Sequence, residues 1–162
     1  MTTVAGKAAE FQPDPALDCT MRAPTQVTIG QPVPLTVALH NRSATGLSVL
    51  TWGTPFEEAW FQPFVTVQRD GKPVSYGGAT AKRGDPELDE YVGIAPGASR
   101  DASLDLAHVF DFSIPGRYDV VPRLVLHDVA RATAPLPRPR AQHQPVSLRC
   151  PSLTVTVTPP RR

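Results

Sequence analysis

The sequence is poor in the residues that build metal centres and catalytic sites. Its 162 residues include two cysteines and four histidines. His40, His108, His127 and His143 are scattered, and no two stand four apart. Neither Cys-x-x-Cys nor His-Glu-x-x-His occurs, so the common zinc spacings are missing. Gly-x-Ser-x-Gly and glycine-rich phosphate loops are missing too, which removes the familiar serine-nucleophile and nucleotide sites. Carboxylate pairs such as Glu57-Glu58 and Asp85/Glu87 stand in no recognisable sugar-cleft context. No enzyme activity and no cofactor are therefore expected. No apolar run approaches the roughly 20 residues of a membrane helix. The net charge is only +1, with no basic stripe interleaved with aromatics, so nucleic acid is not an expected partner. Membrane insertion is not expected either, and the chain should be monomeric by itself.

Proline is abundant, with 19 residues beside 11 glycines. Proline lacks the backbone donor that helices and central strands need. Long helices are thereby disfavoured, while 41% hydrophobic residues suffice for a core. What remains is a class of short strands separated by Pro/Gly turns. Leu35, Val37 and Leu39 alternate with Thr36, Ala38 and His40, the period of a half-buried strand. Asn41–Gly46 is rich in turn formers, and Val49-Leu50 resumes the apolar run, so Leu35–Leu50 reads as a hairpin. Asp70-Gly71 marks a second hairpin, between runs at Phe64–Val67 and Pro73–Tyr76. Further strands are expected at Leu17–Ala23, Thr25–Ile29, Tyr91–Ile94, Ser99–Leu106 and Arg117–Leu126. Leu153–Thr158 shows the cleanest alternation. A single helical turn is expected within Ala107–Phe112. The sum is all-β: an immunoglobulin-like antiparallel β-sandwich of about 8–9 short strands. Gly116-x-Tyr118 stands where such folds carry a tyrosine corner. Residues 1–15 read as a disordered leader, 16–158 as one sandwich domain and 159–162 as a tail. The Pro/Arg-rich stretch 130–144 reads as a solvated, extended loop.

Cys19 and Cys150 lie near opposite ends of the chain. The first and last strands of a sandwich are often neighbours, so a disulfide is one reading and two buried thiols the other. The disulfide reading places the protein outside the cytoplasm. Met1–Glu10 has no apolar core of a secretory signal, so the expected location is periplasmic or secreted with the signal peptide absent from this sequence. His127-Asp128, the one adjacent His–carboxylate pair, reads as a surface pair at a strand end. Arg83-Gly84-Asp85 is an integrin-type tripeptide, read here as a charged turn. Trp52, Phe56, Trp60, Phe61 and Phe64 crowd into 13 positions. They either close one end of the sandwich or expose an aromatic patch to a partner.

Trp52-Gly-Thr-Pro-Phe56, Asp70-Gly-Lys-Pro-Val74, Phe110-Asp-Phe-Ser113 and Pro115-Gly-x-Tyr118 stand in that order along the chain. Together, over about Leu35–Val121, they resemble the N-terminal, non-catalytic region of deuterolysin and peptidyl-Lys metalloendopeptidase (aspzincin) zinc proteases. In that family the region looks like a propeptide that helps its enzyme fold and keeps it inactive. The zinc-binding helix of the family does not appear here. The resemblance implies a non-catalytic secreted or periplasmic module, a propeptide-like inhibitor or folding chaperone of a zinc metalloprotease. The alternative is a structural or adhesive module that recognises a protein or polysaccharide at the cell surface. The candidate partner-binding residues are Thr54, Pro55, Phe56, Glu57, Trp60 and Phe61 in one loop and Lys82, Arg83 and Asp85 in another.

Overall fold

The computed structural model describes residues 16–160, and within them the chain is all-β. The expected leader, 1–15, and the last two residues lie outside the described part. The thirteen strand segments are β1 (Leu17–Arg22), β2 (Gln26–Thr28), β3 (Pro34–Asn41), β4 (Leu47–Leu50), β5 (Val65–Arg69), β6 (Lys72–Val74), β7 (Tyr91–Ile94), β8 (Ser99–Asp105), β9 (Gly116–Pro122), β10 (Val125–Leu126), β11 (Val129–Arg131), β12 (Val146–Ser147) and β13 (Leu153–Thr158). Five of these have only two or three residues, which leaves eight of four residues or more. The expected helical turn forms at Leu106–His108 as a single 3-10 turn capped by Asp105.

Two layers face each other. In the first, β3 lies between β1 and β8, and β4 between β11 and β7. The second has the order β2-β13-β9-β5-β6, with β10 pairing β12 beyond its β9–β13 ladder. Leu35, Val37 and Leu39 from the first layer and Val67, Tyr118, Val120, Val155 and Val157 from the second share one buried core. Alternation along β1, β3 and β13 supplies that inner face, since successive side chains point to opposite sides of a strand. This is the strand arrangement of immunoglobulin-like sandwiches. The tyrosine corner is present: Tyr118 is fully buried, and its hydroxyl donates to the Ile114 carbonyl at 2.6 Å. Cys19 on β1 is bonded to Cys150, between β12 and β13, so the disulfide reading holds and the bridge ties the two layers together.

Three expectations about connectivity are corrected. Leu35–Leu50 is not a hairpin, because β3 and β4 do not pair with each other. They follow one another and pair in turn with β8 and β7, so 34–50 and 91–105 form one long ladder broken in its middle. The break is knitted by buried Asn41. Its N–H donates to Ala98 O at 2.9 Å, its carbonyl accepts from Gly97 N at 2.8 Å, and its amide donates to Ile94 O at 3.0 Å. A polar side chain that answers main-chain groups in this way makes a long turn sequence serve as a bulge rather than a reversal. The sandwich is also not wholly antiparallel, since β2 runs parallel to β13. Ala23-Pro24-Thr25 breaks the first strand and carries the chain from one layer to the other, as proline cannot donate to a ladder. Arg117–Leu126 is likewise divided, into β9 and β10, and Val125 points outward while Leu124 and Leu126 are buried. The second hairpin forms as expected. Asp70 and Gly71 have φ of 48° and 84°, the left-handed pair that a tight two-residue turn requires.

Candidate functional site

Three irregular segments meet at the β4–β7–β11 end: 51–64, 75–90 and 132–145. The first begins with Trp52-Gly-Thr-Pro-Phe56, which folds inward. Thr54 Oγ1 donates to Thr51 O at 2.7 Å and accepts from Phe56 N at 3.1 Å, capping the turn Pro55–Glu57. Proline opens that turn, where a missing N–H costs nothing. Gly53 has φ of 69°, and a Cβ there would lie 2.6 Å from Gln62 Nε2. The positive φ is what favours glycine here, while a side chain would also have to displace that of Gln62. Thr54, Pro55 and Trp60 are all buried, which corrects their reading as partner-contact residues. Trp60 belongs to the core: it stacks on Phe64 at 4.7 Å, meets Phe110 edge-on at 6.3 Å, and donates from Nε1 to Asp105 O at 3.0 Å. The aromatic-rich stretch therefore mainly closes the sandwich, with Phe61 left exposed.

The second segment is locked to the first through Arg83. Both terminal nitrogens of its guanidinium bind the Glu57 carboxylate, and its plane lies 5.0 Å from the Trp52 ring centroid and 5.4 Å from that of Phe61. A two-toothed arginine–carboxylate pair with aromatic cover has a fixed geometry. Arg83 Nε is enclosed without a hydrogen-bond partner, the one such buried side-chain atom among the described residues. Lys82 and Asp85 stand exposed on either side of it. The integrin-type tripeptide is thus tied down at its arginine rather than displayed. A shallow groove of about 520 Å³ runs between Phe56, Phe61 and β7 and is rimmed by Glu57, Glu58, Asp89 and Glu90. Hydrogen bonds from Glu87 N and from Trp52 Nε1, at 2.7 Å, hold the Glu90 carboxyl below the ordinary range.

The third segment is the Pro/Arg-rich stretch, and it corrects two readings. Much of it is exposed, but Arg138 anchors it. Asp128 is fully buried and accepts from both Nε and Nη2 of Arg138, from Tyr91 Oη at 2.8 Å and from Gln144 N at 3.0 Å. The His127-Asp128 pair is therefore not a surface pair. Burial alone would raise the Asp128 carboxyl, yet these donors outweigh burial and hold it below its ordinary value. Burial and the neighbouring carboxylate push Tyr91 up to about 12. The loop also clamps the second segment. Arg140 N donates to Asp85 at 2.9 Å, and Arg140 Nη1 to Arg83 O at 2.6 Å. Under the loop, Trp52 meets the His127 and His143 rings edge-on at 6.0 and 5.7 Å. Burial first, then the Arg83 charge, holds His127 below its ordinary value. Nothing in the sequence marked Tyr91, Asp128 and Arg138 as one network, since they lie 10 to 47 positions apart. Among the described residues no group of three or more His, Cys, Asp or Glu side chains is placed to hold a metal ion.

No family model matches the chain. Over 99 residues it is 31% identical to an extracellular protease of Aeromonas hydrophila, a stretch that is 61% of this chain and 28% of that protein. The chain thus spans less than a third of that relative's length. Among solved structures it is similar to the CARDB domain of PF1109 from Pyrococcus furiosus. The solution structure is 12% identical and the crystal structure with di-metal ions 14%. Each covers 91% of this chain, and 98% and 94% of those chains, at TM-scores of 0.37. The alkylpurine DNA glycosylase AlkC of Pseudomonas fluorescens gives 10% identity over 88% of this chain and 30% of that chain, at a TM-score of 0.36. Likenesses at these TM-scores carry no argument. The protein is a disulfide-linked β-sandwich similar to part of an extracellular protease, and a secreted or periplasmic location is compatible with both features.

Proposed function

We propose that this chain is a non-catalytic, exported module that acts on an extracellular zinc metalloprotease, as a propeptide-like inhibitor or folding chaperone. The observation that carries this reading is the 99-residue similarity to just over a quarter of an extracellular protease. The joined loops support it. Glu57, Arg83, Asp128, Arg138 and Arg140 hold three segments in one arrangement before any partner arrives. A surface ordered in advance loses less conformational entropy on association than a mobile one. The zinc type of the target follows from the family resemblance of the sequence.

The test is to titrate the purified protein against the Aeromonas hydrophila extracellular protease and a panel of zinc endopeptidases. Stoichiometric loss of activity, or a higher yield of active enzyme on refolding, is expected. Absence of both effects across the panel overturns the reading. A structural or adhesive role is favoured by one observation, the exposure of two large apolar side chains, Leu88 at 60% and Phe61 at 37%. Capture of a surface protein or polysaccharide from the extracellular fraction, lost in Leu88→Ser and accompanied by no protease effect, would establish that role instead.

A further inference from the structure

At the joined loops one charged side chain is presented while the backbone around it is held. Residues 79–84 run without a turn or bend. Ahead of Lys82, the Tyr76 hydroxyl donates to Ala79 O at 2.5 Å, and Ala81 N donates to Phe61 O at 2.9 Å. Behind it, the Arg83 side chain is bound by Glu57 and covered by two rings, while the Arg83 carbonyl accepts from Arg140. Asp85 accepts from Arg140 N, and Pro86 is buried. Lys82 is exposed and has neither a hydrogen bond nor an ion pair with any described residue. Two residues on, a Cβ at Gly84 would meet nothing within 4 Å.

An endopeptidase cleft takes its substrate extended, with one side chain filling a specificity pocket. A mobile loop must be ordered to fit, whereas this one is already fastened on both sides of an ammonium that no described residue engages. The fastening opposes the backbone movement that turnover needs. The other basic side chains near at hand do not qualify. Both terminal nitrogens of Arg83 are engaged by Glu57. Lys72 closes the tight β5–β6 turn, with its backbone paired to Arg69, so a cleft cannot lay the chain out around it.

We propose that residues 79–85 form a substrate-like inhibitory segment, and that Lys82 enters the specificity pocket of a lysine-accepting endopeptidase. This rests on the protease-directed reading above and names its contact residue and the preference of its target. The partner pocket must hold a carboxylate at its base and an apolar wall for the four-methylene stem.

The intact protein is to be assayed against a lysine-specific endopeptidase, trypsin and the Aeromonas hydrophila extracellular protease, with cleavage followed by mass spectrometry. The wild type should inhibit at least one of the first two while Lys82–Arg83 is cut slowly or not at all. Lys82→Ala should weaken inhibition by about thirtyfold or more, the size of a central interface anchor, with an unchanged melting temperature. Lys82→Arg should keep inhibition of trypsin and lose that of the lysine-specific enzyme, a readout that a structural role would not move. Arg83→Ala should turn the segment into a substrate cut at Lys82. Equal inhibition by Lys82→Ala and wild type, rapid cutting of the wild type at Lys82, or no effect on either lysine-accepting enzyme overturns the proposal. If Lys82→Ala and wild type restrain the Aeromonas enzyme alike, the protease-directed reading stands and the Lys82 assignment falls. If the wild type affects none of the three, both lose their support.

Discussion

The buried pair Arg138–Asp128 should be the costliest polar contact to break in this molecule. Asp128 is fully buried, and the Arg138 side chain is 18% exposed. Arg138→Ala leaves the carboxylate with two neutral donors, Tyr91 Oη and Gln144 N. It also removes the bond from Arg138 Nη2 to Val129 O at 3.0 Å. A buried charge stripped of its partner costs about 3–5 kcal/mol. Set against a total stability of about 5–15 kcal/mol, that is a large part of the whole. For a domain of this size it corresponds to a fall in melting temperature of about 6–20 °C. The assay is urea unfolding followed by tryptophan fluorescence, with limited proteolysis of 132–145 alongside. Asp128→Asn should cost less, because the amide oxygen still accepts from Tyr91 and Gln144 while no unpaired charge remains. The pH dependence has a definite sign. Asp128 is held below its ordinary value, so its contribution is complete above about pH 4 and is lost as pH falls through the lower folded value. In Arg138→Ala that acid-side slope should flatten. A loss below about 1 kcal/mol for Arg138→Ala, the size of an exposed ion pair, would refute the reasoning and mean that water reaches the pair.

Three further outcomes are expected. Replacing Cys19 and Cys150 by serine opens a closure between residues 131 positions apart and should cost about 5 kcal/mol on chain-entropy grounds, read as a lower urea midpoint that matches the reduced wild type. Tyr118→Phe removes the hydroxyl bond to Ile114 O from a fully buried ring and should cost about 1 kcal/mol with the fold intact by circular dichroism. His127 is held below its ordinary value by burial and by Arg83, with His143 and Arg140 adding to this and Glu57 opposing. The unfolded chain therefore takes the proton first. Stability should be full above about pH 6.5 and fall as pH drops from there toward the lower folded value, and His127→Gln should remove that slope in a thermal-melt series.

Period and composition made the all-β class legible. Alternation marked the inner faces of β3 and β13, Asp70-Gly71 announced its own turn, and Gly116-x-Tyr118 marked the tyrosine corner, because each depends on neighbours a few residues away. The same local logic misread Asn41–Gly46 as a reversal, since whether turn formers reverse a strand or bulge it depends on what lies across the ladder. Here that is 94–98, some fifty positions on. Of the site, sequence alone could supply the ingredients: an aromatic-rich segment, a charged loop and a Pro/Arg stretch. Tertiary structure decided their roles. It buried Thr54, Pro55 and Trp60, engaged Arg83 with Glu57, joined Tyr91, Asp128 and Arg138 into one network, and left Lys82 uncovered. Pattern reports the periodicity of a segment, which is set by bonds along the chain. The partner of a charge is set by which loops the two layers bring together, and that geometry exists only once the sandwich has closed.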